Sequence, residues 1–254
     1  MSATVQLQRQ GNVAVLTLAH GKANAFDLEL CLALRRRLDE CRDAWCAAIV
    51  MVGTGTIFSA GVDLLRVVKD GPPYVKRFLP ALSDAFEALF AFPKPVVAAV
   101  NGHAIAGGCI LACAADRRLM ARGTARIGVP ELLVGVPFPP VPLEIMRFAA
   151  APRRLASLLL EGETFTPDAA LEQGLIDAVV DPETLPSAAM AAAEMLAARP
   201  AAAFALTKQQ LRGAALTRMR AGRPAFDAAV EDVWCAPATT EAIRGYIERT
   251  FKKG

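Results

Sequence analysis

Two kinds of group in this chain could act on a small molecule: backbone N–H groups left free beside glycine, and a carboxylate standing in an apolar run. The first kind is concentrated in Pro95-Val-Val-Ala-Ala-Val-Asn-Gly-His-Ala-Ile-Ala-Gly-Gly-Cys-Ile-Leu-Ala-Cys-Ala-Ala-Asp116, which is apolar except where a turn must fall. Val96 to Val100 reads as a buried strand, Asn101-Gly102 as a turn, and Gly108 onward as a helix. Ala106-Gly107-Gly108 then stand at a helix start. Amides there have no intrahelical acceptor, the helix dipole adds partial positive charge, and glycine admits a ligand close to the backbone. Such a place suits an anion or the oxyanion of a polarised carbonyl. The second kind is Glu131, within Val129-Pro-Glu-Leu-Leu-Val-Gly-Val-Pro-Phe-Pro-Pro140. Exposed, it is a solvated carboxylate; partly buried, its pKa rises and it can serve as a general base near neutral pH.

The central stretch has two competing readings. Its length approaches the roughly 20 apolar residues of a membrane span. Two glycine clusters, Asn101 and His103 interrupt it, and Lys94 and Asp116-Arg117-Arg118 flank it, which weighs against a membrane. It also fits a tightly packed strand, turn and helix with no ligand.

Other polar groups offer less. The six cysteines form no C-x-x-C pair; Cys109 and Cys113 share a helix face and read as buried thiols, so no metal is expected. With only His20 and His103, histidine-based chemistry has little material, and His103 reads as a packed, hydrogen-bonded side chain. Asp63 suits a helix start, Asp116 a turn or cap, and Asp70 and Glu144 solvent. Lys22, in a loop, is either a phosphate contact or merely solvated.

The elements that must position these groups follow in order. Val5 to Leu18 alternates around Gly11-Asn12 as a hairpin at a sheet edge. Asp27 caps a helix through Leu28, Leu32 and Leu38. Ala47 to Val52 reads as a strand; Gly53-Thr-Gly55 and Ile57-Phe-Ser-Ala-Gly-Val-Asp-Leu64 then give a turn, a short bridge and a turn toward helix. The central stretch repeats that logic about forty-five residues later. Two such units side by side would aim two amides at one point, where a carbonyl would be polarised toward an enolate.

Lys69 to Phe78 reads as a mobile basic glycine-proline segment, and Leu79 to Phe92 as an amphipathic helix. Arg117 to Met120 and Ile176 to Val180 read as strands and Pro142 to Leu160 as helix. From Pro186 nothing alternates, and helix breaks are expected at Arg199-Pro200, Gly222-Arg-Pro224 and Ala236-Pro237. Such a tail cannot enclose much core alone and must dock on the main body or a neighbouring subunit.

The chain is globular in composition: of its 254 residues, 54% are hydrophobic and 21% charged, which excludes a disordered chain. A net charge of +3 is too small and dispersed to imply nucleic acid, and suits a small anionic ligand. The start, Met1-Ser-Ala-Thr-Val-Gln, lacks the pattern of a signal peptide, so a cytoplasmic location is expected.

Phe58-Ser-Ala-Gly-Val-Asp-Leu64, Asn101-Gly-His-Ala-Ile-Ala-Gly-Gly-Cys109 and Pro130-Glu-Leu-Leu-Val-Gly135 resemble, in order and spacing, three motifs of the enoyl-CoA hydratase/isomerase (crotonase) superfamily. The resemblance spans essentially the whole chain, including the Asn24-Ala-Phe26 loop and the helical tail. It implies an α/β fold of the ClpP/crotonase-like type, a spiral of ββα units. Residues 1–195 would form the core with the active site, and residues 196–254 a helical region that packs homotrimers, often doubled into hexamers. It implies an acyl-CoA thioester as substrate, with coenzyme A part of that substrate and no separate cofactor.

By the same resemblance the thioester oxygen accepts from the amides of Val62 and Gly107. Asn24, Ala25, Phe26, Ala60, Gly61, Asp63, Leu64 and Gly108 line the acyl-CoA site, and Lys22, Arg66 and Lys252 meet phosphate. Family hydratases orient water with two glutamates. Here the first position is Ile110 and only Glu131 remains. That pattern resembles the Δ3,Δ2-enoyl-CoA isomerases, and Val136-Pro137-Phe138-Pro139 resembles an isomerase loop. Other crotonase reactions (hydration, decarboxylation, thioester hydrolysis) and a non-catalytic acyl-CoA binder are the alternatives. Phe78, Leu82, Phe86, Phe138 and Trp234 are candidates for the pocket wall.

Overall fold

A computed structural model describes residues 4–251. Six strands, β1 (Val5–Gln10), β2 (Val13–Leu18), β3 (Ala48–Gly53), β5 (Val96–Val100), β7 (Arg117–Ala121) and β10 (Ala178–Val180), form one sheet in that order. Only the β1–β2 hairpin is antiparallel. Four short strands, β4 (Ile57–Ser59), β6 (His103–Ile105), β8 (Ile127–Gly128) and β9 (Thr164–Phe165), form a second sheet. The helices are α1 (Leu28–Glu40), α2 (Leu64–Phe90), α3 (Gly107–Cys113), α4 (Glu131–Val134), α5 (Pro140–Ala149), α6 (Pro152–Glu161), α7 (Pro167–Glu172), α8 (Leu185–Ala197), α9 (Ala201–Cys235) and α10 (Pro237–Phe251).

The repeat seen in the sequence is physical. A long strand, a short strand and a helix recur as β3-β4-α2, β5-β6-α3 and β7-β8-α4. The long strands are apolar on both faces because both are covered. Ile49, Met51, Val96, Ala98 and Val100 face the larger core, while Ala48, Val50, Val97 and Ala99 meet Leu185, Ala189 and Ala193 of α8. Small side chains on both partners let that helix lie close.

The structure differs from the sequence expectations in several places, among them Asp116, expected as a turn or cap and found between Lys208 and Arg212. Residues 69–78 are helical for the most part: Gly71, at φ +64°, breaks α2, so Pro72 and Pro73 fall in the first turn of its second half, where a missing N–H costs nothing. Buried Tyr74 and Phe78, their rings stacked at 5.5 Å, anchor that half. The helical stretch expected over 142–160 is two helices, because Ala151 before Pro152 takes an extended ψ of 132°. Gly222-Arg-Pro224 does not end α9. There tertiary packing overrides propensity: a β-carbon on Gly222 would lie 3.1 Å from Pro140, and Arg223 pairs with Asp84 at 2.7 Å. Glu144 is buried rather than solvated, paired with Arg218 at 2.6 Å and Arg147 at 3.0 Å.

The tail docks on the body of its own chain: Ala215, Met219, Val230, Trp234 and Ile243 belong to the same core as the strands. A buried charge cluster fastens it. Arg212 donates to the carbonyls of Ala114 (2.9 Å) and Ala115 (3.1 Å) just past α3 and to Asp116 (2.7 Å). Lys208 donates to Asp116 (2.5 Å) and to the Lys94 carbonyl (2.9 Å). Burial pulls the Lys208 ammonium down to about 8. Among the described residues no single helix is long and apolar enough to cross a membrane; the stretch 95–116 is two strands and a seven-residue helix.

Asp116→Ala should therefore leave two buried cations without a counter-charge and lower stability by about 3–5 kcal/mol. Urea unfolding checks this, and an unchanged midpoint would contradict it.

Candidate active site

The site begins where two chain segments touch. Strands β4 and β6 run parallel side by side, and the residues after each, Gly61-Val62 and Ala106-Gly107, come into contact. A β-carbon on Gly61 would lie 2.7 Å from the Ile105 carbonyl oxygen and 3.2 Å from the Gly107 nitrogen; one on Gly108 would lie 2.2 Å from the Ser59 oxygen. Only glycine permits this approach.

On either side of Val62 the backbone is engaged. Gly61 O accepts from Phe26 N at 2.6 Å, and Asp63 N donates to Phe26 O at 2.9 Å. Ala106, at φ +52° and ψ −122°, donates to Gly128 O at 2.8 Å and turns the chain into α3. A non-glycine residue held in that region stores strain of about 1–3 kcal/mol. Among the described residues nothing accepts the N–H of Val62 or of Gly107. Both residues line one cavity of about 60 Å³.

Glu131, the first residue of α4, lines the same cavity. It is 8% exposed, and its Oε2 has no hydrogen-bond partner among the described residues. Burial pushes its carboxyl up to about 8, only partly opposed by its own backbone N–H. Ile110, on the first turn of α3, also faces the cavity. The remaining wall is apolar and includes Leu82, Phe86, Phe138 and Trp234; Phe78 lies elsewhere in the core. Phe26 and Phe86 sit edge to face at 5.2 Å beneath Gly107, each 3.5 Å from where its β-carbon would be.

The other sequence candidates divide. Ala60 and Leu64 line the cavity, as does Pro137, whose carbonyl accepts from Trp234 Nε1 at 3.1 Å. Gly61 and Gly108 serve as contact points, and Asp63 caps α2 by accepting from Arg66 N at 3.0 Å. Asn24, at φ +47°, is fully buried and fastens its loop to β4: its amide donates to Ile57 O (2.9 Å), and its side-chain oxygen accepts from His20 N (3.0 Å). Ala25 is half-buried and Lys22 exposed in the same loop, neither lining the cavity. Arg66 is committed to Glu29 (2.6 Å), Asp27 and Asp70 (both 3.2 Å). Lys252 lies outside the described residues. His103 is half-buried, and its Nδ1 accepts from Arg126 N at 3.2 Å.

Sequence reasoning missed Tyr246 as a cavity residue, and it placed Ala106 at the helix start without its strain. Tyr246 carried only the signal of an aromatic in a polar tail helix, and Ala106 none, since its φ is imposed by its neighbours.

The model of the family described as enoyl-CoA hydratase/isomerase matches residues 8–252. The chain belongs to the enoyl-CoA hydratase/isomerase family. It is 33% identical over 210 residues to the carnitinyl-CoA dehydratase of Salmonella arizonae, covering 81% of this chain and 79% of that protein. It is 29% identical over 210 residues to the short-chain-enoyl-CoA hydratase of Clostridium acetobutylicum, covering 82% and 80%. In structure it is similar to human mitochondrial Δ3-Δ2-enoyl-CoA isomerase, with a TM-score of 0.94 at 25% identity over 98% of this chain and 99% of that one. The fold of this enoyl-CoA hydratase/isomerase family member is thus the crotonase fold expected from its motifs.

The lone carboxyl has a cost. In the folded chain Glu131 holds its proton to about pH 8 instead of its ordinary 4.5, so folding favours the neutral form. The contribution of Glu131 to stability therefore falls as pH rises from about 4.5 to 8 and then levels. In Glu131→Gln that fall, of order 4 kcal/mol, should disappear. Urea unfolding of both proteins at about pH 5 and pH 9 checks it; equal pH dependence would contradict it.

Proposed function

We propose that this protein is an enoyl-CoA isomerase that moves a double bond from C3–C4 to C2–C3 of an acyl-CoA thioester. The observation that carries the reading is one buried carboxyl with an unpartnered oxygen, sharing a cavity with two unclaimed amides and with Ile110 rather than a second acid. The amides of Val62 and Gly107 hold the thioester oxygen. The Glu131 carboxylate takes a proton from C2, breaking the C–H bond, and the electron pair spreads over the dienolate onto that oxygen. Glu131, now protonated, delivers the proton to C4, so no water, metal or redox partner is consumed. Removing one such amide typically costs about 3–4 kcal/mol of barrier.

In this reading Asn24, Ala25 and Phe26, with Ala60 to Leu64, form the coenzyme A side through backbone and packing. Lys22 and Lys252 are the phosphate partners, since Arg66 is already paired. Residues 196–254 make the contacts of a homotrimer or hexamer. Exposed Leu206, Leu211 and Phe226 on α9 support that role.

Hydration is the second reading, favoured by the hydratase and dehydratase names of relatives. It needs a group to orient water, and an aliphatic Ile110 does not supply one. With a 3-enoyl-CoA, Glu131→Gln should lose at least about 100-fold in kcat/KM. In the parent kcat/KM should rise with pH as the carboxylate forms and level above about 8. Appearance of the conjugated product measures both. A variant near the parent's rate, or loss of a 2-enoyl-CoA faster than gain from a 3-enoyl-CoA, would overturn the reading.

A further inference from the structure

The cavity is small and its apolar wall is braced. Its volume is about 60 Å³, room for a short apolar chain beside the two amides. The wall opposite the strands comes from Leu82 and Phe86 of α2, Phe138 before α5, Trp234 of α9 and Tyr246 of α10. Trp234 is 3% exposed, and its indole N–H is spent on the Pro137 carbonyl at 3.1 Å, which ties α9 to the loop carrying Phe138. That loop is held from a second side. Gly135, at φ +94°, packs so close to α10 that a β-carbon there would lie 2.9 Å from Ala242. Phe86 is fixed in turn by its edge-to-face contact with Phe26. A wall braced from three sides does not open for extra methylenes without breaking these contacts.

We propose that Trp234 sets the length of the acyl chain, limiting this protein to short-chain thioesters. The proposal rests on the acyl-CoA reading of the site but not on which reaction follows.

Calorimetric titration of butanoyl-, hexanoyl- and dodecanoyl-CoA into the parent, Trp234→Ala and Trp234→Phe tests it, with turnover of 3-hexenoyl- and 3-dodecenoyl-CoA alongside. The parent should bind hexanoyl-CoA at least about tenfold more tightly than dodecanoyl-CoA, since six further methylenes can be seated only by displacing the braced wall, at about 1–3 kcal/mol. Trp234→Ala should shrink that ratio by gaining affinity for the long chain, with Trp234→Phe in between. Equal binding of both chains by the parent overturns the proposal, as does a folded Trp234→Ala with the parent's ratio. Should Trp234→Ala fail to fold, Trp234→Phe decides, and a ladder that superimposes on the parent's overturns it. A length-dependent binding ladder with no isomerisation at any length would keep the role of Trp234 and sink the isomerase reading. Isomerisation indifferent to length would do the reverse.

Discussion

Everything at the site depends on two backbone segments lying closer than side chains allow. The contact of Gly61 with Ile105 and Gly107, and of Gly108 with Ser59, brings the ends of β4 and β6 together. That contact turns a repeated strand and helix unit into a pair of amides with a shared target. The parallel pairing of β4 with β6 sets their direction, and the bonds of Phe26 to Gly61 and Asp63 leave the Val62 N–H as the unclaimed donor. The strain in Ala106 is held by the core around it: Phe26, Phe86, Cys109 and Leu111 are all essentially inaccessible to solvent.

Burial then does two opposite things to charge. Where Arg212 and Lys208 meet Asp116, buried ions are mutually satisfied and fasten the tail behind α3. At Glu131 there is no counter-charge, so burial raises the proton affinity of the carboxyl into the range where it can both take and return a proton. The same tail supplies Trp234 and Tyr246 to the cavity wall. The latch and the site are therefore mechanically linked through α9, which carries Lys208 and Arg212 in its first half and Trp234 at its C-terminal end.

Much of this was legible in the residues because local chemistry and global fold agree there. The hairpin around Gly11, the Asp27 and Asp63 caps, and the strand, turn and helix of residues 95–113 obey local rules that the packing leaves intact. Glu131 stood out as one acid in an apolar run. What could not be read is what only packing decides: whether Glu131 faces solvent or a cavity, why Pro224 sits inside α9, and how Glu144 finds Arg218 seventy-four positions away. Nor could it be read that the Asn24 side chain holds its loop to β4 by donating to Ile57 O.

The most direct test of the central claim is a crystal structure with a saturated acyl-CoA bound. The account predicts the thioester oxygen within about 3.2 Å of both the Val62 and Gly107 nitrogens, with a Glu131 oxygen facing C2. A thioester oxygen bound away from either amide, or Glu131 turned from the acyl chain, would contradict it.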